Sequence, residues 1–372
     1  ASRTIWAKPG GWMHLDSKSG IYLIGRDGTQ ELIIEGNRSL FDPMIIEPRP
    51  KPHAIPSNRN YTDKKGSFYV QNVYHGTHMK GVEPGTAKYL RVIESPEKRT
   101  WTKNGWGGQG EQAPAVNWHS FENKRILGEV PVEEDGSANF EVPSGTFVYF
   151  QLLDKDKKMI QSMRSGTMVM PGEVNGCIGC HEDQNQIPIP KRVVASTIKP
   201  HAIALPEGGQ LPFTFELEVQ PVLDRACIAC HDGSNKLADF TGGRIDDFTG
   251  FGKSYLNLHP YIHRQGPEAE IEVLNPYEYH ASTSQLIKML KTGHHGVELT
   301  DKEWKTLYNW IDFNAPYHSK FKANIFKGVE QISRRTELTE KYAGSGVDWQ
   351  SEIRAYADYL GKQPKPSPVK PE

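Results

Sequence analysis

Cysteine is scarce in this chain, with four among 372 residues. That excludes a disulfide-built scaffold, which needs a far higher density. Long apolar runs are missing too: none reaches the roughly 20 residues of a membrane-spanning helix, so no transmembrane segment is expected. Neither sign of charge dominates, since 44 basic and 45 acidic residues leave a formal net charge of -1. That balance gives no reason to expect a nucleic-acid partner or a polybasic membrane patch. The opening "ASRTIW" has no initiator Met and no basic-plus-apolar leader. It suits a mature exported protein, or equally a trimmed chain, and a periplasmic or otherwise extracytoplasmic location is the expectation. Glycine (35) and proline (26) are plentiful, which favours a loop-rich, largely β architecture over a helical bundle.

Residues 21–36, "IYLIGRDGTQELIIEG", read as two strands around an Asp27-Gly28 turn. Five prolines between 43 and 56 then mark an extended connector. From about 66 to 170 the pattern is β. "SFYVQNVYHG" and "AKYLRVIES" are rich in aromatic and branched residues. Around Asp135-Gly136, Val130 and Val132 alternate before the turn and Ala138, Phe140 and Val142 after it. The loop "NGWGGQGEQ" lacks the spacing of a phosphate cradle. Beyond about 200 the period becomes helical. Val219, Val222, Leu223 and Ala226 share one face and lead directly into Cys227. "TSQLIKMLK" is a second helix stopped by Gly293. A third starts at a Thr300/Glu303 capping box and closes before Asn314-Ala315-Pro316. Further helix is expected at 328–343 and 348–360, then a disordered tail.

All four cysteines lie in two copies of one pattern. "GCIGCHE" holds Cys177, Cys180 and His181; "ACIACHD" holds Cys227, Cys230 and His231. Cysteines three apart project from one side of a helical turn and can reach both vinyl groups along one haem edge. The histidine that follows points across the ring to the iron. This is the signature of c-type haem attachment, so two covalent haems c are expected. A four-cysteine zinc site would not require a His after each pair, and its pairs usually lie closer than the 46 residues found here. Thioredoxin-like chemistry wants a βαβ context that is absent. Disulfides leave both histidines unexplained.

His181 and His231 are therefore the expected proximal iron ligands. For the second iron, the loop "MLKTGHHGVELT" offers His294 and His295 between two helices, with His294 preferred as metal ligand and His259, His263 and His280 as weaker alternatives. Helix, motif, ligand loop and closing aromatic helix together give the layout of a class I-like cytochrome c domain. The first iron has His75 and His78 as candidates for its open face. Met79, Met163, Met168 and Met170 are read as core filler. An unfilled face would leave a five-coordinate site able to bind a small ligand.

"AVNWHSFENKRILGEVPVEEDGSANFEVP", "YFQLLDKDKKMIQSMRSGTMVMPGEVNGCIGCHE", "VQPVLDRACIACHDG" and "GHHGVELTDKEWKTLYNWIDFNAPYH" resemble the middle and C-terminal regions of the hydrazine synthase alpha subunit family and its related multihaem cytochromes. The resemblance covers most of 20–345. It implies a β-rich domain around the first haem and a helical domain around the second, with His231 and a "GHHGV" histidine as axial pair. In that family a propeller precedes these parts, and the 21–36 hairpin stands as its remnant. There, too, a Tyr after the first motif binds iron, and the motif His joins a zinc site with a distant Cys. Here Glu182, Asp183, Gln184, Asn185 and Gln186 follow His181, and no cysteine is left over. No zinc is therefore expected at the first site.

The expected fold is α+β. A partial hairpin and connector occupy 1–60, a β-rich first-haem domain 61–205, a mainly α-helical class I-like cytochrome c domain 206–325, and a helical extension with tail 326–372. The leading functional expectation is an exported dihaem cytochrome c that transfers electrons between redox partner proteins, such as other cytochromes or subunits of a larger complex. The runner-up is a hydrazine synthase-like or other nitrogen-cycle oxidoreductase subunit with catalysis at the first haem. A structural subunit whose haems stabilise an assembly is the non-redox alternative.

Overall fold

Strand alternation sets the first layer of the molecule. In the computed structural model the described residues are 4–8, 19–37, 40–48, 50–57, 59–95, 124–163, 165–180, 191–206, 213–247, 251–264 and 274–317, with isolated positions beyond. Strand β4 (Lys65–Val70) is the centre of one sheet. It pairs antiparallel with β7 (Ala138–Pro143) and parallel with β10 (Val174–Cys177). On β7 the residues Ala138, Phe140 and Val142 all point inward, as their period of two requires. A second sheet has the order β6 (Arg125–Pro131), β5 (Tyr89–Glu94), β8 (Val148–Leu153) and β9 (Met159–Ser162), all antiparallel.

The two sheets meet through aromatic rings. Phe68 and Phe140 of the first sheet pack edge-on against Phe150 of the second, at 5.1 and 5.2 Å between centroids. Such pairs add about 0.5–1.5 kcal/mol beyond the area they bury. Leu90, Val92 and Leu152 complete this core. On β5 the opposite face carries Arg91 and Ile93, and Ile93 belongs to a different core, made largely by helices. On β8, Tyr149 packs on that same side. The second sheet is thus buried on both faces and serves as a common layer for the expected β-rich and helical parts.

The helical layer is built from a π-turn at Phe215–Val219 running into α1 (Gln220–Ala226), then α2 (Lys253–Leu258), α3 (Gln285–Thr292) and α4 (Asp301–Asp312). Helix α4 begins at the expected capping box: the Thr300 hydroxyl accepts from the Glu303 N–H, and the Glu303 carboxylate accepts from the Thr300 N–H. Its inner face is Leu307, Tyr308, Trp310 and Ile311. Its last residue binds it to the sheets. The Asp312 carboxylate accepts from the N–H groups of Met159 and Ala281, and its carbonyl accepts from Gln151 Nε2 at 2.7 Å. Gln151 in turn accepts from Arg91 at 3.2 Å.

The chain divides into compact units Ala1–Ser57 and Asn58–Glu372. In the first, β2 (Ser19–Ile24) and β3 (Gln30–Gly36) form the expected hairpin, and a strand the sequence pattern did not reveal, β1 (Thr4–Lys8), pairs with β2. The proline-rich connector has no regular structure where it is described. Loop 104–112 and nearly all of 328–343 and 348–360 lie outside the described residues; positions 337, 340, 341 and 358 there are helical. Among the described residues no helix is long and apolar enough to cross a membrane.

Candidate functional site

The second cysteine pair sits where α1 runs out. The N–H of Cys227 donates to the Leu223 carbonyl at 2.8 Å, and those of Cys230 and His231 donate back to the Cys227 carbonyl at 3.2 and 3.0 Å. These bonds continue the helical turn past its last residue, so the two sulfurs share one side. Helix α1 is fixed from outside by Arg225, whose guanidinium bonds both oxygens of Glu303 and the Glu298 carbonyl. One carboxylate therefore caps α4 and anchors the turn before Cys227.

The His231 ring rests against Phe240, at 4.8 Å between centroids. Its Nδ1–H donates to the Ala238 carbonyl at 3.0 Å. That bond makes Nδ1 the donor, so in the neutral ring Nε2 is the nitrogen that could bind a metal. The structure brings His294 to this ring. The two imidazole centroids are 6.2 Å apart with their planes inclined by 27°. Two imidazoles at this separation could hold one metal ion between them, given metal–nitrogen bonds of about 2 Å. His295 is exposed, in a left-handed backbone conformation, and contacts His294 rather than His231. Burial holds the His294 imidazolium disfavoured, with His295 and His231 adding to the effect. The neutral, ligating form is favoured. Burial also pushes the Cys227 thiol up to about 12, so the neutral thiol is its favoured form. Cys227, Cys230, His231 and His294 thus fit a covalently held haem with two imidazole ligands.

The other candidate histidines have structural employment. His259 is buried, accepts from Arg264 through Nε2, and is pushed down to about 2 by desolvation. His263 faces Thr283 and stacks on Tyr279. His280 Nδ1–H donates to the Ile311 carbonyl.

The first pair is mounted differently. Cys177 is the last residue of β10 and Cys180 lies in the bend beyond it, so the helical turn expected for this motif is not what carries it. The reason is tertiary: β10 pairs in parallel with β4, and the chain continuing from β4 forms a turn, 71–75, that bonds to the motif backbone. Gln71 and Asn72 N–H groups donate to the Cys177 and Ile178 carbonyls, and the Cys180 N–H donates to the His75 carbonyl at 2.8 Å. Both sulfurs are half-buried against the sheet core. His75 is thereby placed beside the motif. The ring of His78 bonds Thr77 at 2.8 Å. Met79 and Met163 fill core space as expected, whereas Met168 is 48% exposed and does not. His181 and residues 182–186 lie outside the described residues. Among the described residues no three His, Cys, Asp or Glu side chains converge as a metal cluster, and all four cysteines are free of disulfides.

Sequence reasoning missed the 71–75 turn, which it read as continuing strand, and the Ala238 carbonyl that orients His231. The turn had one legible signal, the Asn72 and Gly76 flanking "VYH". A backbone carbonyl leaves none.

Residues 85–182 match the profile of the hydrazine synthase alpha subunit middle domain. That span runs from just before β5 to just beyond the first motif. The solved structure of Kuenenia stuttgartiensis hydrazine synthase superposes with a TM-score of 0.56 at 16% identity, over 80% of this chain and 52% of that one. The chain therefore spans about half the length of the structure it matches. No curated protein matches. Residues 85–182 are thus similar to the hydrazine synthase alpha subunit middle domain, and the chain shares its fold with part of the solved hydrazine synthase.

Proposed function

We propose that this chain is a haem-bearing subunit of a hydrazine synthase-like nitrogen-cycle oxidoreductase, with two covalently attached haems c. It works outside the cytoplasm with redox partner proteins or further subunits. The observation that carries this reading is where the family match falls. The matched span, 85–182, holds β5 to β10 and ends one residue after His181. The part of the chain that the family model matches is thus the part that would surround the first haem.

The second motif lies in the class I-like cytochrome c part and serves as the relay. Haem iron supplies one-electron chemistry there when bound. The chain's own contribution would be to hold that haem with His231 and His294, whose rings face each other, and to orient the His231 ring by the Ala238 carbonyl. At the first motif, His181 would be the ordinary proximal ligand, because no Tyr stands among the five residues after it and residues 1–372 hold no further Cys. Chemistry on a small nitrogen compound belongs at this site.

A second reading, an electron relay through both haems, has its own support in the His231–His294 spacing. Spectra of the reduced holoprotein with and without carbon monoxide separate the two. Binding by one haem of two supports the enzyme subunit. Two haems that both ignore carbon monoxide would support the relay and reject the enzyme.

A further inference from the structure

The two motifs differ at one inner position. The first reads Cys177-Ile178-Gly179-Cys180 and the second Cys227-Ile228-Ala229-Cys230. The structure gives that difference a cause. A Cβ placed on Gly179 would lie 2.8 Å from the His75 carbonyl carbon and 3.0 Å from its Cβ, and closer still to the carbonyl oxygen. The obstacle is backbone, which cannot swing aside as a side chain can.

Nor can the turn that carries this carbonyl retreat. The His75 N–H donates to the Asn72 carbonyl, and the Tyr74 N–H to Asn72 Oδ1 at 2.9 Å. Val73 is buried to 1% exposure, and its N–H donates to the Gly136 carbonyl at 2.8 Å. The Tyr74 hydroxyl accepts from the N–H groups of Gly85 and Ala87 at 2.8 and 3.0 Å. A methyl group at 179 must therefore displace the motif and break the 2.8 Å bond from the Cys180 N–H to the His75 carbonyl.

We propose that the 71–75 turn and Gly179 are the positioning elements that set the first cysteine pair for haem attachment, a task the second motif performs with its own helical turn. This rests on the two-haem reading above. Attachment adds each Sγ–H across one vinyl double bond. Sulfur bonds one carbon and hydrogen the other, with no net gain or loss of electrons. Both sulfurs must therefore face one haem edge together, which is what the turn enforces where no helix does.

Intact mass of the denatured full-length protein counts the haems, and peptide mapping locates them. The expected result is two haems on the wild type, two on Ala229→Gly, and one on Gly179→Ala, held by Cys227 and Cys230. The haem kept by Gly179→Ala should show a two-imidazole spectrum insensitive to carbon monoxide. His75→Ala keeps the backbone carbonyl and should retain both haems. Gly179→Ala carrying two haems would overturn the proposal. Loss of both haems from that variant would also overturn it, because it would mean global misfolding instead of a local role. A wild type with fewer than two haems would reject the two-haem reading itself.

Discussion

The two Cys-Ile-x-Cys stretches are nearly the same peptide in two different structures. One ends a β-strand and is gripped by backbone from a turn about a hundred residues earlier in the chain. The other prolongs a helix through its own local hydrogen bonds. Four residues are too few to impose a secondary structure, so tertiary pairing decides: β4 claims the first motif and α1 delivers the second. On the two-haem proposal, the two sites would be furnished differently. At the second motif the chain folds a loop back and sets His294 against His231. At the first, the main chain of the 71–75 turn lies against the motif among the described residues.

Variants can sharpen or break that contrast, and the largest expected change is at the second site. His294→Ala should open that haem fully to carbon monoxide, while His295→Ala should leave it closed; titration of the reduced protein with the gas reads this directly. If His295→Ala opens the haem instead, the pairing seen between His231 and His294 is wrong.

Next in size is a test of whether the two regions are separate at all. Trp310 in the helical core and Phe140 in the sheet core are both fully buried. Truncating either to Ala should cost about 3–5 kcal/mol. Because Ile93 and the Asp312 bonds join the layers, both should lower the midpoint of one shared urea transition in the holoprotein. Two independent transitions would show the regions to be separate folding units.

The seam between them should also respond to pH. Burial pushes the Asp312 carboxyl up to about 6 from its ordinary 3.8, outweighing the Arg91 charge and the two N–H donors. A raised carboxyl favours its neutral form in the fold. Its contribution is therefore present below about 3.8 and is lost as pH rises through about 6, an effect of roughly 3 kcal/mol at about 1.4 kcal/mol per unit. Asp312→Asn should flatten that stretch of the stability profile measured by urea midpoint. A variant profile parallel to the wild type would place the effect elsewhere.

The smallest effect expected is that of Arg225→Ala. The pair with Glu303 is partly exposed, at 27% and 13% for the two side chains, so its loss should cost within about 1 kcal/mol. It should shift the second haem's spectrum and not the first's. An equal shift in both would deny that Arg225 acts locally on the turn before Cys227.

Much of this was legible in the sequence where structure is local. The Thr300/Glu303 cap, the Gly293 stop and the inward set Ala138, Phe140 and Val142 are each written within a few residues, and all three appear in the fold. What escaped was long-range. β1 had no alternation to distinguish it, and α2 (Lys253–Leu258) is too short for a helical period to register. The mounting of the first motif depends on β4, whose residues lie far back in the chain. At the site, the residue types and their spacing identified the cysteines and both loop histidines as candidates. The sequence already preferred His294 to His295; the structure adds that the His294 ring faces His231 while His295 contacts His294, because the backbone sends two adjacent identical residues in different directions.

Low-temperature magnetic spectroscopy of the oxidised holoprotein is the most direct test of the claim that the two motifs hold differently furnished haems. One low-spin signal of the two-imidazole type, assigned to the second site by its loss in His294→Ala, together with one high-spin signal that responds to nitric oxide, is the expected result. Two low-spin two-imidazole signals, neither responding to nitric oxide, would contradict it and leave a two-haem wire.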